Sequence, residues 1–140
     1  MTEIKSHEFD AFLAQGMRSY RIFVIFGPDR GLVSERASAI AQKSGIALDD
    51  PFSVTRLDAG DLGPGGGRLL DEVGALGLFG GDKLIWVKGG GNDRGLIDAM
   101  PRIVEQNLTD TVLIIEAGDI KKGVGLRKLV DGHKSVASIA

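Results

Sequence analysis

"YRIFVIFGPDRGLVSERA", residues 20–37, is the stretch whose reading decides the fold. Residues 20–27 form a continuous apolar run that ends in glycine. Apolar residues without polar alternation read as a strand covered on both faces, as in a parallel sheet. After the turn "GPDRG", Leu32, Val33, Ala37, Ile40 and Ala41 recur on one side of a helix over about 31–44.

Outward from this unit the same alternation repeats. Upstream, Phe9, Phe12, Leu13 and Met17 stand at helical spacing, with Ser6 able to cap, and predict an amphipathic helix over 6–18. Downstream, "FSVTRLD" (52–58) is a shorter alternating strand, suited to a place nearer the sheet edge. The glycine-rich loop 62–67 leads into a helix over 68–76 striped by Leu69, Leu70, Val73 and Leu76. "KLIWV" (83–87) is the third strand and "GGGND" (89–93) a loop. Residues 94–107 read as a helix with Leu96, Met100, Ile103 and Val104 aligned, which Pro101 should kink or split. "TVLIIEA" (111–117) is the most apolar strand, and a short helix (126–131) precedes the last one, 135–140. The expected fold class is α/β: one three-layer domain over 1–140, a five-stranded parallel sheet with helices on both faces and right-handed crossovers. The chain stops inside its last strand, so further C-terminal domains are expected to follow it.

Composition narrows the function. The 140 residues suffice for one domain with a core. A net charge of -2 gives no basic field for nonspecific nucleic-acid binding by this piece alone. The absence of cysteine removes disulfides and thiolate metal sites and fits a reducing, cytoplasmic setting. No apolar run approaches membrane-spanning length, and the N-terminus lacks the apolar segment of a secretory signal.

A strand, a glycine and a helix are also the setting of a phosphate-binding loop, G-x-x-x-x-G-K-[ST]. There backbone amides surround phosphate, a lysine neutralises it and a hydroxyl binds magnesium. From Gly27 the chain reads "GPDRGLVS". Leu32 stands for the second glycine and Val33 for the lysine; only Ser34 matches. The strand that should end in a magnesium-binding carboxylate ends in Lys88. Two independent losses predict a degenerate loop that neither binds nor hydrolyses nucleotide. Asp29 and Arg30 are then turn and helix-start residues.

Other polar groups read as ordinary surface. His7 and His133 are far apart, and no His/Asp/Glu cluster has metal-ligand spacing, so no metal or cofactor is expected. Asp49 and Asp50 precede Pro51 in a turn, and Asp71 and Glu72 lie on a polar helix side. Lys121, Lys122, Arg127 and Lys128 form a local basic group, read as solvated. Trp86 alternates within its strand and reads as core. No catalytic constellation emerges.

The unusual stretch is "ALGLFGGD", residues 75–82. Leu76 continues the stripe of Leu69 and Val73. Leu78 and Phe79 are adjacent and diverge by about 100° on a helix, so at least one should protrude before the glycines. A displayed Leu-Phe pair is an anchor for an apolar pocket, each side chain contributing about 1.5–3 kcal/mol when buried, which supports micromolar-class binding.

"A-L-G-L-F" is similar to the pentapeptide, of type Q-L-x-L-F, by which bacterial replication proteins engage the sliding clamp, with Ala75 in place of the usual glutamine. Together with "YRIFVIFGPDRGLVSERA", "ALGLFGGDKLIWVKGG" and "LIIEAGDIKKGVGLRKLV" in order, the chain resembles the N-terminal domain of the delta subunit of bacterial DNA polymerase III, over essentially its whole length. The resemblance implies an AAA+-like domain with a degenerate nucleotide site. It also implies a clamp-loader subunit that binds and opens the clamp without hydrolysing ATP, as a non-catalytic part of a polymerase holoenzyme. Leu78 and Phe79 would enter the clamp's apolar pocket, supported by Leu76. Other loader subunits would join mainly through the C-terminal domains, with DNA contacted only in the assembled complex. The competing reading is a divergent P-loop NTPase or small-molecule kinase using Gly27 to Ser34.

Overall fold

The computed structural model describes residues 3–74, 82–90, 93–106, 108, 110–121, 125–130 and 135–139. Six parallel strands form one sheet: β1 (Glu3–Ile4), β2 (Ile22–Ile25), β3 (Val54–Asp58), β4 (Lys83–Gly90), β5 (Thr111–Ala117) and β6 (Val136–Ile139). Their order is β1-β6-β2-β5-β4-β3. The five strands expected from the sequence are all present, and β1 adds a two-residue edge beside β6. Every residue of β2, β5 and β6 is buried, which is why these strands read as largely apolar runs, interrupted only by Thr111, Glu116 and Ser138. β3 lies at the opposite edge: Val54 packs on one face of the sheet and Leu57 on the other, while Arg56 and Asp58 are exposed.

One face of the sheet is covered by the N-terminal helical segment and α2 (Arg30–Lys43). Phe9, Phe12, Met17, Val33, Ala37, Ile40 and Ala41 pack there on Phe23, Ile25, Trp86 and Ile114. The other face carries α3 (Gly67–Gly74), α4 (Arg94–Val104) and α5 (Gly125–Val130). Leu69, Val73, Leu96, Met100, Ile103, Leu126 and Val130 close that core over Val24, Ile85, Val87, Leu113 and Ile115. Gly66 lets α4 approach the preceding turn: with φ at 71°, a Cβ there would stand 2.3 Å from the Gly95 carbonyl oxygen.

Several elements differ from expectation. The segment 6–19 is helical but changes pitch: a 3-10 turn at Ser6–Glu8, one α turn at α1 (Phe9–Ala11), a π turn at Phe12–Gly16 and a 3-10 turn at Met17–Ser19. On a regular α-helix Met17 would be rotated about 140° from Phe12. The wider turn, closed by Met17 N–H donating to the Phe12 carbonyl, brings both onto the sheet. The start of this segment is tied by the Lys5 N–H donating to Glu8 Oε1 at 3.1 Å. Leu32, expected on the buried stripe of α2, is exposed; Arg36 is buried instead, its guanidinium 5.5 Å from the Phe9 ring centroid. Pro101 neither splits nor ends α4. The missing N–H and ring clash cost about 3 kcal/mol, and the buried stripe of Leu96, Ala99, Met100 and Ile103 outweighs them. β4 continues beyond Val87 through Lys88 to Gly90, so the loop expected at 89 begins later.

Candidate functional site

β2 is the point where strand order turns: β6 lies on one side of it and β5 on the other. In open α/β sheets, ligands bind outside the carboxyl ends of the strands at such a point. The chain leaves β2 at Ile25 and enters α2 at Arg30, so only residues 26–29 form the connection. Gly27 takes φ of 154°, a region open to glycine alone, and its N–H donates to the Gly118 carbonyl at 3.2 Å. Asp29 caps α2: its Oδ1 accepts from the Leu32 N–H at 3.2 Å and its carbonyl from the Val33 N–H at 3.0 Å. A phosphate at a helix N-terminus needs amides of this first turn. Here the Asp29 side chain takes one of them, the Leu32 N–H, and the Val33 N–H makes the ordinary first bond of the helix.

The side chains repeat the theme. Val33, in the lysine position, is buried beside Gly27, its Cγ2 3.5 Å from where a Gly27 Cβ would stand. Ser34, in the magnesium-ligand position, donates its hydroxyl to Glu116 Oε1 at 2.6 Å. Glu116 Oε2 accepts from Trp86 Nε1 at 2.5 Å. Glu116 is 7% exposed, so its carboxylate is a buried charge held by two donors. Trp86 is core, as expected, and also carries cations: the Arg56 guanidinium lies 4.9 Å and Lys88 Nζ 5.3 Å from its ring. A cleft of about 230 Å³ remains between Arg30, Val33, Ser34, Lys88, Glu116 and Gly118. That is smaller than the ~300–1,000 Å³ of common small-molecule sites.

Thus Gly27, Val33 and Ser34 of the degenerate loop converge at the switch point, whereas Leu32 turns outward. The sequence reading missed Glu116. The available signal was one acid in the otherwise apolar run "TVLIIEA" on a strand covered on both faces, where an ionised group needs partners. On β5 it shares the α2 face with Val112 and Ile114, which aims it at Ser34.

Other expected positions separate. Leu76, Leu78 and Phe79 lie outside the described residues, as do Lys122 and His133. His7 is exposed. Asp50 organises its turn, accepting from the Phe52 N–H and the Ser53 hydroxyl, both at 2.9 Å, while Asp49 is exposed. Glu72 is half-buried and accepts from Thr55 Oγ1 at 3.5 Å. Of the basic group, Lys121 and Lys128 are exposed. Arg127 turns inward: Nη1 donates to the Ile120 carbonyl at 3.0 Å and the guanidinium lies 5.4 Å from the Phe26 ring centroid. Among the described residues no group of three metal-ligating side chains gathers, and no helix is long and apolar enough to cross a membrane.

No protein-family model matches the chain, and no curated protein matches its sequence. Solved structures do match its fold. The DNA clamp loader delta protein of Bacillus subtilis aligns with a TM-score of 0.69 at 15% identity, covering 94% of this chain and 41% of that one. A DNA polymerase III gamma subunit-related protein of Thermotoga maritima aligns with a TM-score of 0.61 at 9% identity, covering 95% and 46%. The domain therefore has the AAA+-like fold of clamp-loader proteins, and it spans less than half the length of either neighbour.

Proposed function

We propose that this chain is a clamp-loader domain that binds a DNA sliding clamp through Leu78 and Phe79, with Leu76 in support, and favours the open ring without hydrolysing ATP. The observation that carries the reading is the occupation of the phosphate position by the protein's own groups. The Asp29 side chain takes the Leu32 amide, Val33 stands in the lysine position, and Ser34 is committed to Glu116. A phosphate arriving there meets the Asp29 carboxylate at the helix start, and the two cations lining the cleft, Arg30 and Lys88, are exposed. A loader-type fold without a working nucleotide site acts by binding, and binding that prefers one state of a partner shifts that partner's equilibrium. The fold likeness to a clamp loader delta protein and the A-L-G-L-F pentapeptide at 75–79 agree with this role.

In this reading the other loader subunits attach mainly through C-terminal domains. DNA is met only in the assembled complex, the setting is the cytoplasmic replisome, and hydrolysis belongs to neighbouring subunits. The test is clamp binding by surface plasmon resonance. Replacing both Leu78 and Phe79 by Ala abolishes binding while circular dichroism and melting stay unchanged. Equal affinity for wild type and double variant overturns the reading. Tight magnesium-dependent ATP binding by calorimetry would instead favour the divergent NTPase.

A further inference from the structure

α3 ends at Gly74 and β4 begins at Lys83, so the eight residues 75–82 that carry the proposed anchors run between two fixed ends. Those ends are bonded to each other. The last four carbonyls of a helix have no donors within it, and in α3 these are Asp71 to Gly74. Lys83 Nζ donates to the Glu72 carbonyl, so the first residue of the strand caps the helix that precedes it. A cation there also meets the negative end of the helix dipole. Glu72 is held in turn by Thr55 of β3. On the strand side, the Lys83 N–H donates to the Asp110 carbonyl at 2.8 Å, and Asp82 Oδ2 lies 3.8 Å from Arg21 Nη1. Burial pushes the Lys83 ammonium below its usual pKa, and the Glu72 carboxylate pulls it partly back. Water could cap α3 without desolvating a lysine, so the fold alone does not demand this arrangement.

We infer that Lys83 is a positioning residue for partner binding: by fixing the α3 end against the start of β4 it lowers the ordering cost of seating Leu78 and Phe79 in an apolar pocket. The inference rests on the clamp-binding reading above. It is tested on the full-length protein by clamp affinity of wild type, Lys83→Met, Lys83→Arg and the Leu78→Ala/Phe79→Ala double variant. A free peptide of residues 75–82 serves as competitor. Loss of this charged hydrogen bond predicts about three- to tenfold weaker binding for Lys83→Met. Lys83→Arg restores affinity, urea denaturation shows that each variant is folded, and the peptide displaces Lys83→Met from the clamp at lower concentration than wild type. Wild-type affinity in Lys83→Met, with the double variant silent, overturns the inference and leaves the clamp reading standing. Wild type and double variant binding alike, or neither binding, removes both. Should Lys83→Met fail to fold, Lys83→Gln takes its place, since its shorter side chain ends before the Glu72 carbonyl.

Discussion

The hydroxyl of Ser34 lies 2.6 Å from Glu116 Oε1, joining the first turns of α2 to the end of β5 across 82 positions of sequence. With Trp86 Nε1 on the other carboxylate oxygen, this makes a three-element tie at the point where an active phosphate loop would hold a metal and a nucleotide. The tie holds the end of β5, Trp86 of β4 and the start of α2 together directly.

Removing one donor from that carboxylate exposes the cost of a buried charge. Ser34→Ala should lower stability by about 1–3 kcal/mol, and Glu116→Leu, which leaves the Trp86 N–H without its acceptor, by at least as much. Glu116→Gln, similar in shape and still an acceptor, should cost less than either. Urea denaturation followed by the fluorescence of Trp86, the protein's single tryptophan, measures all three. Equal midpoints for wild type and Ser34→Ala would show that the tie carries no stability.

Restoring the missing lysine alone should not restore a nucleotide site. Val33→Lys places a cation at a position that is 4% exposed and lined by core residues. Destabilisation of about 2 kcal/mol or more follows from burying the charge. The Asp29 side chain still holds the Leu32 amide and Glu116 still holds Ser34, so calorimetry should detect no magnesium-ATP binding. A calorimetric isotherm for the variant would show that Val33 was the sole defect.

Lys83 gives the protein a pH dependence of known sign. Its pKa is lowered in the folded state, from 10.5, because burial disfavours the ammonium. Between the lowered value and 10.5 the unfolded chain binds more protons than the folded one, so this group makes stability rise with pH through that window. Other groups titrate there as well, so the measurement is a difference. The stability of wild type relative to Lys83→Met should increase as pH rises toward 10.5. A flat or falling difference contradicts the assignment.

Much of the fold was legible from residues 20–37 outward. The runs at 22–26 and 112–115 are wholly apolar because β2 and β5 are buried on both faces, as parallel strands under two helical layers are. The alternation at 52–58 marked an edge strand for the converse reason. The defects at Leu32 and Val33 were also written in the sequence, since a motif is a statement about residue types at fixed spacing. The π turn at Phe12–Gly16 was not legible, because it arises from the demand that Phe12 and Met17 reach one sheet. Nor was the unbroken α4: the proline rule is local, whereas the stripe that overrules it is tertiary.

By itself the sequence determined the layers, the parallel sheet and the loss of the phosphate motif, all of which follow from hydrophobic periodicity and local chemistry. The tertiary structure alone decided which side chains meet beside the degenerate loop. Asp29 could be read as a helix-start residue, but Glu116 meets Ser34 and Trp86 only because strand order brings β5 between β2 and β4. The same holds for Lys83 and Glu72, whose bond depends on how α3 returns to the sheet. Such pairings depend on distances between elements remote in sequence, and residue spacing along a chain carries no record of them.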